Sequence, residues 1–443
     1  MQKRKRVQEE EQREDVDSER EQKSQMQPRN PYARAPPNFA TLAETFETFR
    51  PFVQKDKHDR PYIDFKDPVA VREFTRCLLT RDFDLDVYLP PDRLCPPVPN
   101  RLNYILWIQD IIQETLSAEE RKDIRGIDIG VGASCIYPLL GCALDSEWSF
   151  LGTDIDETSV KHARENVERN GYIDRISIKY NDNPDRIFVL EKDQRYAFCM
   201  CNPPFYSSKE ELEQGRENKE LEPSAVCTGS DTEMITEGGE YGFIERIINE
   251  SLIYKDRIRW YTSLIGLKRT VWPLVNKLRE LNIQNYVVTE FCQGKTKRWG
   301  IAWSFGSARV NKASSLEEYR PKSQFTVTLG GTTEYVQNQV QTILQDLGIQ
   351  FKANGPTLSG SPKANTWSRA ARRQLKKRQK IDEQEHPLFT FELGTKSMAS
   401  SSTQLVGTWV SGDDRDIFES FWNHLKKRVE QATGVEKETP FKK

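Results

Sequence analysis

Short apolar runs alternate with longer helical stretches between residues 124 and 303, and this alternation limits the chain to few folds. Runs such as RGIDIG, ISIKY and YAFCMCNPPF indicate strands, whereas ASCIYPLLGCAL and TSVKHARENVERNG indicate helices. Strands that alternate with helices pair in parallel, and the helices then cover both faces of the sheet. We therefore predict an α/β fold with a mostly parallel sheet.

The pattern changes in the last third of the chain, where SQFTVTLGG, PLFTFELGT and TQLVGTWVSG indicate strands and DIFESFWNHLKKRVEQA indicates a closing helix. We predict a charged, disordered tail over residues 1–27, a large domain over 28–310 and a small α+β domain over 320–435. A basic insertion at 352–386 is predicted to interrupt the small domain. It holds eight Lys/Arg and no acid from Lys363 to Lys380.

Composition alone argues against several classes of protein. The chain starts MQKRKR and contains no run of about 18 apolar residues, so we expect an intracellular protein with no membrane segment. The eight cysteines include no CxxC pair and the four histidines are scattered, which predicts no metal site. The cluster KRKR at residues 3–6 fits either a nuclear import signal or a solubilising tail.

A glycine turn follows the first strand, in GIDIGVGASC. Gly130 and Gly132 let the backbone turn sharply and leave room for a ligand against the chain. The second strand ends in GTDID, so Asp154 can accept both hydroxyls of a nucleoside ribose. Alternatively, Asp154 or Asp156 only caps the next helix, and Asp156 fits that cap better. No Walker lysine follows the glycines, which argues against a phosphate-binding loop.

A rigid corner ends the strand at residues 196–201. Prolines cannot donate to a sheet ladder, so the strand must stop at Asn202. The Asn202 amide oxygen and a proline carbonyl can accept both N–H groups of an adenine amine, and Phe205 offers a stacking surface. The tetrapeptide by itself fits an ordinary proline turn equally well. Its position after the glycine turn and the acidic strand end favours a ligand site.

These motifs, together with DFKDP, RLNYI, EGGE, RWY and TEFCQGKTKRW, resemble one family. The sequence is similar to the U6 small nuclear RNA adenine-N6 methyltransferases, which are related to bacterial large-subunit ribosomal RNA adenine-N6 enzymes. The likeness covers residues 60–306, approximately. It implies a Rossmann-like class I methyltransferase fold, S-adenosyl-L-methionine as the methyl donor, and a C-terminal RNA-binding module.

The resemblance also implies roles for matched positions. Arg101 would reach the donor's carboxylate and Asp154 its ribose. The positions matched to the donor site are Arg101, Gly130, Gly132, Ser134, Asp154 and Asn202. Those matched to the catalytic corner are Asn202, Pro203, Pro204 and Phe205. Those expected to contact RNA are Lys66, Lys295 and Arg298, with Arg372, Arg373, Lys376 and Lys377 of the basic insertion.

Three positions depart from the family pattern. The family has glutamate where this chain has Asp154 and tends to have arginine where it has Lys295. It also carries a lysine in the loop after ISIKY, where this chain reads NDNPDRIF and only Arg186 could substitute.

Residues 251–300 hold ten Lys/Arg against three acids, interleaved with Trp260, Trp272 and Trp299. That composition suits an RNA backbone with stacked bases, although a solvated helix face over core tryptophans would explain some of it. The polar stretch 207–240 after the corner is interpreted as a substrate lid.

The function expected from these observations is methyl transfer from S-adenosyl-L-methionine to N6 of one adenosine in U6 small nuclear RNA or another structured RNA. No protein partner is indicated. The nucleus is the expected location, with the cytoplasm left open. Two alternatives remain: a non-catalytic protein that binds structured RNA, and a methyltransferase for glutamine amides in proteins, whose corner usually has tyrosine where Phe205 stands.

Overall fold

The computed structural model describes residues 26–213, 229–293, 296–310, 315–319, 324–368, 371, 386–398, 402–412 and 415–433. The chain divides into two units, residues 1–320 and 321–443, which are described separately. Nearly all of the predicted disordered tail lies outside the described residues. Gln27, its last residue, is buried, and its amide donates to Asp110 Oδ2 at 2.6 Å. The packed part therefore includes Gln27, and the predicted boundary at residue 28 is too late.

A seven-stranded sheet forms the centre of the first unit. A separate ribbon pairs β1 (Gln54–Lys55) with β2 (Pro61–Tyr62). The sheet strands are β3 (Ile124–Ile129), β4 (Trp148–Asp154), β5 (Ile176–Tyr180), β6 (Tyr196–Cys201), β7 (Ile258–Ile265), β8 (Tyr286–Gln293) and β9 (Thr296–Trp303). Their order is β5-β4-β3-β6-β7-β9-β8. The five strands from β3 through β7 all run parallel, and β9 is antiparallel to both of its neighbours. The predicted mostly parallel α/β sheet is confirmed.

Helices cover both faces of this sheet. They include α1 (Pro31–Arg34), α2 (Phe39–Thr45), α3 (Pro68–Phe83), α4 (Val98–Thr115), α5 (Ile136–Leu144), α6 (Glu157–Arg169), α7 (Asp231–Met234), α8 (Gly239–Tyr254) and α9 (Lys268–Glu280). Alternate residues of β6 show the double coverage, because Phe198 and Met200 join one buried cluster while Cys199 and Cys201 join the other. Among the described residues, none of the helices has the length and apolar character that crossing a bilayer requires.

Capping residues fix two helix starts, and the cap predicted at Asp156 is confirmed. Asp67 accepts a hydrogen bond from the Val69 N–H at the start of α3, and Asp156 accepts one from the Thr158 N–H at the start of α6. Helix α4 begins inside the proline-rich segment that precedes Arg101. Pro99 lies in the first turn, where its missing N–H costs nothing, so Arg101 is carried on the helix itself.

The second unit is a five-stranded antiparallel sheet with two helices. Its strands are β10 (Gln324–Gly330), β11 (Phe351–Asn354), β12 (Thr357–Gly360), β13 (Phe389–Met398) and β14 (Ser402–Gly412), in the order β10-β14-β13-β12-β11. Helices α10 (Thr333–Asp346) and α11 (Arg415–Thr433) pack on it around a core that includes Phe391, Leu405 and Trp422. This is the small α+β fold that the sequence predicts.

The predicted insertion at 352–386 begins too early. Residues 351–360 form the hairpin β11–β12, in which Asn354 pairs with Thr357 across a two-residue turn. Gly355 adopts a φ of 58°, which the first position of such a turn requires. Arg372, Arg373, Lys376 and Lys377 of the remaining insertion lie outside the described residues.

Candidate active site

A cavity of about 370 Å³ opens at the carboxyl ends of β3, β4 and β6. This edge is where ligands bind in open parallel sheets, because loops from neighbouring strands converge there. Every position that the sequence assigned to the methyl donor contributes to the wall. These residues are Arg101, Gly130, Gly132, Ser134, Asp154 and Asn202.

The glycine turn forms the floor of the cavity. Gly130 and Gly132 have φ values of 71° and 64°, which side chains disfavour. A Cβ at Gly130 would meet no atom within 4 Å, so the strained backbone and not crowding explains the glycine. The turn is fixed to the next strand by a hydrogen bond of 2.9 Å from the Gly132 N–H to Asp154 Oδ2.

Asp154 serves the turn as well as the cavity. Its second oxygen accepts the Asp156 N–H at 3.0 Å, while Asp156 itself caps α6. Burial raises the pKa of Asp154; the two backbone hydrogen bonds oppose this rise, and the charges of Asp156 and Glu233 add to it. The carboxylate thus has a fixed direction, and lone pairs that remain after these bonds can accept from a ligand.

A buried acid and a buried base near the turn have polar atoms without a hydrogen-bond partner among the described residues. Asp128 on β3 is 1% exposed, and neither carboxylate oxygen has a hydrogen-bond partner among the described residues. Burial raises its pKa well above the usual value, with the charge of Asp154 adding to the rise and that of Arg101 opposing it. Arg101 donates to the Tyr137 hydroxyl at 3.0 Å, but its Nε has no partner within the described chain.

The predicted corner, Asn202 to Phe205, follows β6 directly. Its last strand residue is anchored through Tyr104, whose hydroxyl accepts the Cys201 N–H at 3.4 Å and bonds to Thr262 Oγ1 at 2.6 Å. The chain leaving the corner is also held, because Tyr206 exchanges backbone hydrogen bonds of 3.0 Å with Met234 and Thr236. Both ends of the corner are therefore fixed, which the acceptor role predicted for it requires.

Two cavity residues were not predicted from the sequence. Glu233 accepts the Ser230 N–H at 2.8 Å and the Leu94 N–H at 3.1 Å, which joins the segment after the corner to the loop before α4. The capping-box spacing of Ser230 and Glu233 was a readable signal. Asn181 lines the cavity after β5 and donates to the Arg186 carbonyl at 2.7 Å. Arg186 also lines it, in the loop where the family has lysine.

Of the residues predicted to contact RNA, the structure describes only Lys66 and Arg298. Lys66 is exposed just before α3, and Lys295 lies outside the described residues. Arg298 lies against the corner, with its guanidinium carbon 6.0 Å from the centroid of the Phe205 ring. Burial lowers the pKa of Arg298, and the nearby charge of Arg101 lowers it further.

The basic stretch 251–300 is less available to RNA than its charge count suggested. Four of its cations form ion pairs with acids, most of them from other parts of the chain: Arg259 with Glu120, Arg269 with Glu211, Lys277 with Glu245, and Lys297 with Glu290. Trp260 and Trp299 are buried, whereas Trp272 is 44% exposed. The alternative of a solvated face over core tryptophans explains these four cations and the two buried tryptophans.

Comparison with known proteins gives consistent matches. A family model described as RNA methyltransferase matches residues 20–307. The U6 small nuclear RNA (adenine-(43)-N(6))-methyltransferase of Schizosaccharomyces pombe is 39% identical over 379 residues, which cover 83% of this chain and 95% of that protein. The human RNA N(6)-adenosine-methyltransferase METTL16 is 39% identical, over 74% of this chain and 63% of the human protein's length.

Solved structures agree with the sequence matches. The catalytic domain of human METTL16 in complex with a MAT2A 3′UTR hairpin matches with a TM-score of 0.59 and 43% identity, covering 64% of this chain and 96% of that one. The N-terminal domain of human METTL16 in complex with SAH matches with a TM-score of 0.54 and 41% identity, covering 63% of this chain and 99% of that one.

Proposed function

The chain belongs to the RNA methyltransferase family, and we propose that it transfers a methyl group from S-adenosyl-L-methionine to N6 of one adenosine in U6 small nuclear RNA. The observation that carries the proposal is a single cavity that joins the glycine turn and Asp154 to the Asn202 corner. Donor and acceptor groups bound there would meet at the carboxyl edge of the sheet.

The donor side of the cavity fits S-adenosyl-L-methionine in charge and size. When bound, this donor supplies a methyl group on an electrophilic sulfonium, so the protein needs no strong base to activate it. Arg101 has the charge to hold the donor's carboxylate, and Asp154 has free lone pairs for the ribose hydroxyls.

The acceptor side fits an adenine amine. The lone pair of that amine is conjugated with the ring and is a poor nucleophile. The Asn202 amide oxygen and a carbonyl of Pro203 or Pro204 accept its two N–H groups and favour a pyramidal nitrogen that can attack the methyl group. Phe205 provides a stacking surface for the base, which must leave its own stack to reach the corner.

Contacts to the rest of the RNA come from several parts of the chain. Lys66, Lys295 and Arg298 are assigned to phosphates around the target nucleotide. The C-terminal unit, through Arg372, Arg373, Lys376 and Lys377, is assigned to binding structured RNA in general. A nuclear location follows from the substrate, since U6 RNA is a small nuclear RNA, and from the two basic clusters.

The test is methyl transfer from labelled S-adenosyl-L-methionine to U6 transcript, with the product digested to nucleosides. We expect label in N6-methyladenosine. RNA that binds tightly but stays unlabelled would support the non-catalytic alternative. Label on glutamine of a protein extract, with none on RNA, would support the amide methyltransferase.

A further inference from the structure

The EGGE motif at residues 237–240 has no role in the function derived above, and the structure places it directly beneath the corner. Gly238 and Gly239 adopt φ values of 71° and 59° as the chain enters α8. A Cβ at Gly239 would lie 3.4 Å from the Ser207 nitrogen and 3.6 Å from the Phe205 carbonyl oxygen. The motif therefore lets the chain leaving the corner pass close to bare backbone.

Glu240, the last residue of the motif, is a buried side chain that binds the neighbouring turn. It is 2% exposed, and its carboxylate accepts hydrogen bonds from the Gly266 N–H, from the Leu267 N–H at 3.3 Å and from the Thr270 hydroxyl. Gly266 and Leu267 connect β7 to α9. A carboxylate that accepts several N–H and O–H groups fixes the position of that connection.

Gly266 in turn lies against the aromatic ring of the corner. A Cβ at this position would be 2.7 Å from both Cδ1 and Cε1 of Phe205 and 2.9 Å from Glu240 Oε2. No side chain fits at such a distance, so the Phe205 ring rests on the bare backbone that Glu240 holds. Arg298 approaches the same ring, at 6.0 Å from its centroid.

We propose that Glu240 and Gly266 are positioning residues that fix the plane of the Phe205 ring and thereby the position at which the target adenine binds. This inference rests on the proposed function. Neither residue lines the donor cavity, so both act on the acceptor alone. The charges of Glu240 and Arg298 interact, and Arg298 is assigned to phosphate, so the effect on RNA affinity is read from Gly266→Ala, which changes no charge.

The experiment compares Gly266→Ala and Glu240→Gln with wild-type protein on a U6 hairpin RNA. The matched controls are Gly306→Ala, whose Cβ would meet only Ser304 Oγ at 3.4 Å, and Glu245→Gln on the same helix as Glu240. Three quantities are measured: kcat and KM for RNA, affinity for S-adenosylhomocysteine by calorimetry, and the emission of 2-aminopurine placed at the mapped target position.

In both variants the base-binding surface is displaced, so we expect kcat to fall by about 100-fold while affinity for S-adenosylhomocysteine stays near wild type. KM for RNA should stay near wild type in Gly266→Ala, which changes no charge. The emission of 2-aminopurine should stay close to that of free RNA, because the base no longer settles on the ring. Wild-type kcat in both variants, or donor affinity that falls together with kcat, would overturn the inference. An inactive wild-type protein would instead overturn the proposed function and this inference with it.

Discussion

Two buried carboxylates lie close to the site, one beside the glycine turn and one beside the corner, and their hydrogen bonding differs. On the donor side, Asp128 has no hydrogen-bond partner among the described residues. On the acceptor side, Glu240 accepts bonds from Gly266, Leu267 and Thr270. Burial raises the pKa of both groups, but backbone hydrogen bonds oppose the rise only for Glu240, while the charge of Asp154 adds to it for Asp128.

The difference indicates two ways of using a buried acid. An unpartnered carboxylate costs folding free energy, because burial disfavours its charged form and leaves it sensitive to any nearby charge. A saturated carboxylate already has its partners and fixes the shape of the loop around it. The donor side should therefore respond to charge changes through affinity, and the acceptor side should respond to shape changes through the rate.

The largest expected effect is on the acceptor side. Asn202→Ala removes an acceptor for the adenine amine and should lower the rate of methyl transfer by about 100-fold to 1000-fold, as removal of a preorganised polar group does elsewhere. Affinity for S-adenosylhomocysteine should fall far less, since Asn202 is only one of several donor-site residues. Single-turnover kinetics and calorimetry measure the two quantities, with Asn276→Ala, exposed on α9, as control. Equal loss of rate and donor affinity would remove the distinction between the two sides.

Asp154→Ala tests the donor side. Loss of hydrogen bonds from a charged group, each of about 1.5–3 kcal/mol, should weaken binding of S-adenosylhomocysteine by about 10-fold to 100-fold. RNA affinity should not change. Asp156→Ala is the matched control, because it removes the cap of α6 at a cost of about 1 kcal/mol in stability without removing a donor contact. Equal donor affinity in Asp154→Ala and wild type would show that this carboxylate serves only the glycine turn.

The paired variants Asp128→Asn and Glu240→Gln sharpen the comparison of the two buried acids. Asp128→Asn removes an unmatched charge and should raise the free energy of unfolding of the donor-free protein by about 1–2 kcal/mol at neutral pH. Glu240→Gln leaves a buried N–H without its acceptor and should lower it by about 1–3 kcal/mol. Urea unfolding measures both. The same sign for both variants would contradict the distinction.

The pH dependence of the Asp128 variant has a defined sign. The pKa of Asp128 is raised in the folded protein, so the folded state holds this proton more tightly than the unfolded state does. Its contribution to stability is complete below the unfolded pKa and is lost as pH rises through the folded pKa. Between these two pKa values, the unfolding free energy of wild type should fall with pH more steeply than that of Asp128→Asn.

The sequence predicted the parts of the site that lie at strand ends. Gly130, Asp154 and Asn202 each follow a strand, and parallel strands bring their carboxyl ends to one edge, so their proximity could be inferred without coordinates. Glu233 reaches the cavity on the short helix α7 and Asn181 on a loop, and the position of both depends on tertiary contacts. The role of Glu240 was unreadable for the same reason, since its partner Gly266 lies 26 residues away and contacts a third segment.

The charge of residues 251–300 overstates the free positive charge there, because it is a local sum and partners such as Glu120 come from distant parts of the chain. One other prediction went wrong for a physical reason. The hairpin at 351–360 was taken as part of a basic insertion, although Gly355 followed by proline is a turn signal between two short strands.

The smallest expected effect is at Lys66, which is exposed on the surface and does not line the cavity. Because a phosphate contact carries no sequence information, Lys66→Ala should weaken RNA binding by a similar factor for all hairpins and reduce the slope of log affinity against log salt by about 1. The rate at saturating RNA should not change, since Lys66 touches neither the corner nor the glycine turn. Fluorescence anisotropy over a series of KCl concentrations measures the slope. Lys192→Ala is the control, an exposed lysine near the amino end of β6, at the sheet edge opposite the cavity. A lower rate in Lys66→Ala would mean that surface charge also positions the base, and the acceptor side would then not be set by shape alone.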